Sequence, residues 1–136
     1  MKRVLVPLDG SPHAEDALET AFETFPEARI DVLHVIQVAS VTRNDAESAM
    51  ERAERRADEI LSAAEEIADD HGREIETEAI EGHAAKTIVS YAEDNDIDHI
   101  VMGSVGRSGV RRLMLGSVAD SVTRRAPCDV TVTRRE

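Results

Sequence analysis

The stretch RVLVPLDGSP, residues 3–12, contains the change of pattern that decides the fold. Its first part, residues 3–8, is a near-continuous apolar run rich in β-branched side chains, as in a strand that is buried on both faces. Ser11 can then cap a helix with its side-chain oxygen, and Pro12 suits the first helical position because that position needs no N–H donor. This stretch therefore predicts a buried strand, a tight turn and a helix, in that order.

The same alternation of apolar runs and helical spacing continues along the chain. Further strands are predicted at residues 30–38, 74–80, 99–103 and 129–133, and helices at residues 12–25, 45–71, 83–93 and 116–125. Strands and helices that alternate in this way form a parallel sheet with helices on both faces. We therefore predict the α/β class, with a single doubly wound domain over residues 1–136 and a five-stranded parallel sheet in the order 3-2-1-4-5.

Composition excludes several classes of protein. The chain has 136 residues, enough for one ordinary domain, and 41% of them are hydrophobic, which can fill a core. No apolar stretch approaches the roughly 20 residues that a membrane-spanning helix needs, and the first apolar run stops at Pro7, short of a secretory signal. Cys128 is the single cysteine, which excludes an internal disulfide framework and a multi-cysteine zinc site. We therefore expect a cytoplasmic protein.

The chain is strongly acidic. It has 28 Asp and Glu residues against 16 Lys and Arg residues, a net charge of -12, which disfavours binding to nucleic acid or to an anionic membrane. Lys2 and Lys86 are the only lysines. Hydrated surface carboxylates with few lysines are expected of a protein adapted to concentrated salt, and an ordinary acidic cytosolic protein is the alternative interpretation. Because Phe22, Phe25 and Tyr91 are the only aromatic residues, a pocket for a base must have aliphatic walls.

The loops after the first and fourth strands form the predicted ligand site. In a doubly wound sheet the ligand lies beyond the carboxyl ends of the strands, at the point where the strand order reverses. Gly116 and Ser117 open the last helix there, and the free N–H groups and positive dipole of a helix start favour an anion such as a polyphosphate. Glycines also let a loop adopt positive φ and approach a ligand closely. Neither a P-loop lysine pattern nor G-x-G-x-x-G follows the first strand, which argues against a P-loop hydrolase and a Rossmann dehydrogenase.

The glycine-rich segment before the last helix carries a resemblance to a known family. It follows the spacing G-x2-G-x9-G-S/T at Gly103, Gly106, Gly116 and Ser117, and with it the whole chain resembles the ATP-binding type of the universal stress protein family. The segments VLVPLDGS (residues 4–11) and LHVI (residues 33–36) are similar to the family pattern as well. The resemblance implies ATP as the ligand, with any Mg²⁺ entering on its phosphates. One departure is Val105, where many members carry a histidine that would add a polar contact.

The resemblance also implies which residues bind the nucleotide. It places Pro7 and Asp9 at the adenosine end of the pocket and the backbone of Val35 against the adenine edge. Arg107 is expected to contact phosphate through its guanidinium group, whereas arginines 111 and 112 are expected to pair with surface carboxylates. The predicted site consists of Pro7, Asp9, Val35, Met102, Gly103, Gly106, Arg107, Gly116, Ser117 and Val118.

Other polar residues have simpler interpretations. The alternative for Asp9 is a turn residue that caps the next helix through its side chain. His34 lies on a buried strand with no nucleophile beside it, which favours a hydrogen-bonded core histidine, and Cys128 is expected to pack as a small apolar residue. We expect no catalytic residue and no metal site built from protein ligands, because the remaining histidines lack the i, i+4 spacing of a helical metal pair. They are His13, His71, His83 and His99.

The function that these observations predict is regulatory. We expect an ATP-binding stress-response protein that acts through nucleotide-dependent changes of shape or partner, and not through turnover. One alternative is slow ATP hydrolysis or phosphoryl transfer, for which Asp9 is the only candidate base. Another alternative is an interaction dimer whose glycine loop binds no nucleotide.

The last predicted strand, residues 129–133, is expected to lie at an edge of the sheet and to pair with the same strand of a second copy. Val130 and Val132 alternate with polar residues, and neither proline nor lysine blocks this edge. The charged residues 134–136 can guard the edge, but they lie beyond the valines and can turn into solvent. The resemblance implies the same homodimer, because family members commonly dimerise through their final strand.

Overall fold

The computed structural model of the chain describes residues 1–37, 46–104 and 116–134. Strands and helices alternate within these ranges as the sequence predicts. They are β1 (Arg3–Pro7), α1 (Pro12–Thr24), β2 (Arg29–Gln37), α2 (Ala46–Asp70), β3 (Ile75–Gly82), α3 (Ala84–Asp94), β4 (His99–Gly103), α4 (Ser117–Arg125) and β5 (Asp129–Thr133). The predicted limits differ by one or two residues: β1 ends at Pro7, and β3 continues to Gly82.

The five strands form one parallel sheet in the order β3-β2-β1-β4-β5. Its register pairs Val4 with Ile30 of β2 on one side and with His99 of β4 on the other. The predicted doubly wound α/β fold and strand order are therefore confirmed. The order reverses between β1 and β4, and β3 and β5 are the two edges of the described sheet.

Each face of the sheet is covered by two helices. Val4 and Val6 of β1 point to one face of the sheet, which α1 and α2 cover. Leu18 of α1 and Ile60 of α2 belong to the same apolar cluster as these valines. Leu5, between them, points to the opposite face, where α3 and α4 supply Ile88 and Val122. Burial on both faces is the reason that β1 and β2 are apolar at almost every position.

The start of α1 follows from the local sequence, whereas its end depends on a distant residue. The Ser11 hydroxyl accepts the N–H of Ala14 at 3.2 Å, and Pro12 occupies the first turn. No basic residue lies in the last turn of α1. Arg73, from the loop after α2, instead donates hydrogen bonds to the carbonyl groups of Phe22, Phe25 and Ala28. None of the helices in the described ranges is both long and apolar enough to cross a membrane.

Candidate functional site

A cavity of about 500 Å³ opens at the carboxyl ends of β1, β2 and β4. This is the point where the strand order reverses, which is where a doubly wound sheet binds ligands. Eight of the ten predicted site residues line it. They are Pro7, Asp9, Val35, Met102, Gly103, Gly116, Ser117 and Val118. The other two, Gly106 and Arg107, lie outside the described residues, as do Val105 and arginines 111 and 112.

One wall of the cavity is aliphatic. Leu33, Ile88 and Met102 line it with side chains that are at most 5% exposed, and Val35 and Val118 extend the same surface. The part of the lining that the structure describes contains no aromatic side chain, in agreement with the expected aliphatic pocket. Such a wall suits the flat apolar face of a base or another ring.

The loop after β1 forms a second wall. An oxygen of the Asp9 carboxylate accepts the N–H of Ser11 at 2.9 Å, so Asp9 has the turn role that was its alternative interpretation. It lines the cavity as well. Gly10 has φ +88, and a Cβ atom there would lie 2.8 Å from a nitrogen of Arg56. The left-handed turn favours glycine at this position, whereas the flexible end of Arg56 could move aside.

His34 of β2 forms a hydrogen bond with the start of this loop. It is 8% exposed, and its Nδ1–H donates a 2.8 Å hydrogen bond to the carbonyl oxygen of Leu8. The N–H of Leu8 in turn donates to the carbonyl oxygen of Leu33 at 2.9 Å. The expectation of a hydrogen-bonded core histidine is confirmed, and the contact positions the residue that precedes Asp9.

The start of α4 forms the third wall, and Gly116 contributes to it through neither a positive φ nor a free N–H. Gly116 has φ -63 and ψ 156, an extended conformation that any residue adopts, so it does not need the backbone freedom of glycine. Its N–H is also engaged, because it donates to the carbonyl oxygen of Ser104 at 2.7 Å. The N–H donors that a helix start leaves for an anion are therefore those of Ser117, Val118 and Ala119.

Gly103, the first glycine of the G-x2-G-x9-G-S/T spacing, has a packing reason that the sequence did not reveal. A Cβ atom at this position would lie 3.0 Å from the carbonyl oxygen of His13 and 3.1 Å from its Cβ atom. A side chain at this position would have to displace the first turn of α1 by a few tenths of an ångström. Packing against α1 therefore favours glycine here whether or not a ligand is bound.

Nine residues of the lining were missed by sequence reasoning: Leu8, Ser11, Ala14, Leu33, Gln37, Ala84, Ile88, Ser104 and Ala119. Gln37 could have been found, because the two-residue period of a strand puts it on the same side of β2 as Val35. Ser104 could not, since its role depends on residues far away in the sequence. It is 3% exposed and connects the end of β4 to both α4 and β5.

Two titratable groups that the sequence singled out lie away from the cavity. Burial lowers the pKa of His99, whose Nε2 atom is 2.6 Å from the hydroxyl oxygen of Thr131 at the amino end of the sheet. Burial and the charges of Asp129 and Asp98 raise the pKa of the half-buried Cys128 thiol, which packs against the apolar cluster on the α3 and α4 side. Within residues 1–37, 46–104 and 116–134, no three His, Cys, Asp or Glu side chains are grouped closely enough to hold a metal ion.

Known proteins resemble this chain in sequence over nearly its whole length. The sequence profile of the universal stress protein family matches residues 1–134. A universal stress protein of Methanocaldococcus jannaschii is 33% identical over 140 residues, which cover 98% of this chain and 82% of that protein.

Solved structures share the fold. The universal stress protein UspA from Lactobacillus plantarum superimposes with a TM-score of 0.87 at 28% identity, covering 98% of this chain and 97% of that one. A universal stress protein family member from Arabidopsis thaliana, solved with AMP bound, has a TM-score of 0.76 at 17% identity, covering 100% and 93% of the two chains. The profile match and the sequence relatives together show that the chain belongs to the universal stress protein family.

Proposed function

We propose that this protein binds ATP in the cavity at the carboxyl end of the sheet and acts as a stress-response regulator through nucleotide-dependent shape or partner binding. The observation that carries the proposal is the meeting of an aliphatic wall, the Asp9 loop and the start of α4 around one cavity. The sequence pattern had implied these residues as a set, although they come from four separate segments of the chain.

The backbone of Val35 supports recognition of a base. Leu33 points its carbonyl oxygen to the β1 side of β2, because it accepts the N–H of Leu8 there. In a strand, residues two apart direct their backbone groups to the same side, so Val35 does likewise. The ladder between β1 and β2 ends at the pair Pro7 and Leu33, so the N–H and C=O of Val35 face the cavity. A donor beside an acceptor matches the edge of adenine.

The polar side of the cavity supports a ribose and its phosphates. The Asp9 carboxylate can accept hydrogen bonds from ribose hydroxyl groups. The first turn of α4 offers N–H donors and the positive end of the helix dipole to phosphate oxygens. The Arabidopsis protein was solved with AMP bound, so this fold can bind an adenine nucleotide. Because that protein is 17% identical to this chain, the comparison shows a shared fold and nothing finer.

A regulatory role fits this chemistry better than turnover. Hydrolysis requires a positioned base or a group that orients water, and Asp9 is the one candidate that we identified. Its carboxylate already has a turn role, with one oxygen bound to the Ser11 N–H. We therefore assign the bound nucleotide a role in conformation and assembly.

The two edges of the sheet differ in a way that supports a homodimer through β5. The β3 edge carries three exposed carboxylates, those of Glu76, Glu78 and Glu81, which discourage pairing. On β5, Val130 and Val132 are half-buried against the α3 and α4 side. We propose that β5 pairs antiparallel with β5 of a second copy about a two-fold axis.

The decisive experiment is to identify any nucleotide that the purified protein carries or binds. Heat-denatured protein should release an adenine nucleotide that chromatography identifies, and calorimetry on nucleotide-free protein should show a saturable heat with ATP. Bound adenine will dominate the near-ultraviolet absorbance, since the chain has one tyrosine and no tryptophan. A folded protein that neither carries nor binds adenine nucleotides would refute the proposal.

A further inference from the structure

We propose that the hydroxyl group of Ser104 donates a hydrogen bond to the phosphate nearest the nucleoside. This inference rests on the proposed function, because it assigns one more binding residue to the same cavity. Nothing in the G-x2-G-x9-G-S/T spacing points to this residue, because the spacing specifies no residue type between the first two glycines.

Ser104 is held in place by both of its backbone groups. Its N–H donates to the carbonyl oxygen of Thr133 at 2.9 Å, and its own carbonyl oxygen accepts the N–H of Gly116 at 2.7 Å. The first bond ties it to the end of β5, and the second ties it to the start of α4. These two bonds fix the backbone of Ser104 beside the cavity that it lines.

The hydroxyl group is the part of Ser104 that these bonds leave unused. The residue is 3% exposed, and its hydroxyl forms no hydrogen bond to another described residue. The one fully buried side-chain polar atom without a partner among the described residues is Nδ1 of His13, so the Ser104 hydroxyl is accessible from the cavity. A ligand in the cavity can therefore accept a hydrogen bond from it.

The position of Ser104 in the cavity indicates that it lies nearest the inner phosphate of a bound nucleotide. It follows Met102 and Gly103, which form the floor of the cavity, and it is bonded to the residue that precedes α4. Ser117, at the first position of α4, is by contrast exposed. A nucleotide that runs from the aliphatic wall toward solvent therefore passes Ser104 first with its inner phosphate, and Ser117 afterwards with its outer phosphates. A hydrogen bond from a hydroxyl to a charged phosphate oxygen is of the strong, charge-assisted kind.

The test compares Ser104→Ala with the wild-type protein against adenosine, AMP, ADP and ATP by calorimetry. We expect the variant to bind AMP, ADP and ATP each about tenfold more weakly, equivalent to about 1.4 kcal/mol. Adenosine has no phosphate, so its affinity should not change. The matched control is Ser90→Ala, because Ser90 is an exposed serine of α3 outside the cavity lining and should leave all four affinities unchanged.

A second variant, Ser117→Ala, separates the inner from the outer phosphates. It should weaken ATP more than AMP, whereas Ser104→Ala should weaken both by the same factor. The unliganded Ser104→Ala protein should melt no lower than the wild type, since the hydroxyl has no partner to lose.

The outcomes distinguish this inference from the proposed function. Suppose that the wild-type protein binds ATP and that Ser104→Ala binds AMP, ADP and ATP each as tightly as the wild type does. Ser104 then makes no phosphate contact, so the inference is wrong while the proposal of nucleotide binding stands. An equal loss for adenosine and AMP, or a lowered melting temperature without ligand, would show that the serine only shapes the cavity. If the wild type binds none of the four ligands, the proposed function itself has failed.

Discussion

The hydroxyl group of Tyr91 donates a 2.9 Å hydrogen bond to the carboxylate of Asp31, which is completely buried. Arg3 donates to the same carboxylate oxygen at 2.8 Å, and Arg29 donates to the other oxygen at 3.2 Å. These contacts join β1, β2 and α3 at the amino end of the sheet, opposite the cavity. Two cations and a hydroxyl around one carboxylate provide the partners that a buried charge requires.

The Tyr91 hydroxyl should resist ionisation for as long as the protein is folded. Burial and the hydrogen bond to Asp31 raise its pKa well above the usual value of 10. The unfolded chain therefore loses the proton first, so the free energy of unfolding should fall as the pH rises above about 10. Because Tyr91 is the only tyrosine, tyrosinate absorbance reports on it alone.

We expect the tyrosinate signal to appear together with the loss of helical circular dichroism in alkaline titration. In Tyr91→Phe the alkaline fall in stability should be smaller, because the group that ionises on unfolding is absent. A titration midpoint near pH 10 in protein that keeps its helical signal would contradict this prediction.

Arg73 lies in the loop after α2 and should stabilise the protein by capping the carboxyl end of α1. It donates to the carbonyl oxygens of Phe22 at 3.1 Å, Phe25 at 3.1 Å and Ala28 at 2.9 Å, where α1 ends. We expect Arg73→Ala to lower the free energy of unfolding in urea by about 2 kcal/mol, since three carbonyl groups lose a charged donor. Arg55→Ala, on the exposed side of α2, is the matched control and should change it by less than about 0.5 kcal/mol. Equal effects of the two variants would rule out the capping role.

Gly116→Val should weaken ATP binding without unfolding the protein. The backbone at φ -63 and ψ 156 accepts valine, and the bond from its N–H to Ser104 remains. The branched side chain would enter the cavity wall that phosphate oxygens approach, so we expect a loss of at least about tenfold in ATP affinity, or 1.4 kcal/mol. Gly116→Ala should give a smaller loss. Unchanged calorimetric affinity in a folded Gly116→Val protein would mean that no ligand group comes near this residue.

Val132→Pro should dissociate the proposed homodimer. Thr133 directs its carbonyl oxygen to Ser104, on the β4 side, so the backbone groups of its neighbour Val132 point to the open edge. Proline there removes an outward N–H and leaves the ladder to β4 intact. Light scattering should report a change from about twice the chain mass to the chain mass.

The control for this variant is Val132→Ala, which keeps the N–H donor and should remain more dimeric than Val132→Pro. If the wild-type protein is already monomeric at micromolar concentration, β5 is not the interface.

Salt should stabilise the folded protein. The net charge is -12, and exposed carboxylates such as Glu51, Glu54 and Asp58 follow one another along α2. At about 1 M salt the screening length falls to roughly 3 Å, which removes most of the repulsion between them. We expect a higher melting temperature in molar potassium chloride than in dilute buffer. The triple variant Glu51→Gln, Glu54→Gln, Asp58→Asn should depend less on salt, and identical wild-type melting temperatures in the two buffers would refute salt adaptation.

The strands, the helices and their order could be predicted from local sequence patterns. The apolar runs of β1 and β2, the Ser11 cap with Pro12 and the alternation of strand and helix depend on side chains within a few positions of one another. Such local patterns control local backbone structure. The preference for short, right-handed connections between parallel strands then leaves few possible strand orders. The same pattern with the family resemblance identified eight of the seventeen described residues that line the cavity.

The surroundings of each of those residues follow from the assembled fold. Packing of α1 against β4 favours glycine at Gly103, and the N–H of Gly116 is engaged because the carbonyl oxygen of Ser104 accepts it. Ser104, Thr133 and the start of α4 meet only after β5 has paired with β4. These contacts join residues that lie 12 to 90 positions apart in the sequence, as 104 does from 116 and 13 from 103. No local pattern records them, because packing and hydrogen bonding across the sheet select their geometry only once the strands are assembled.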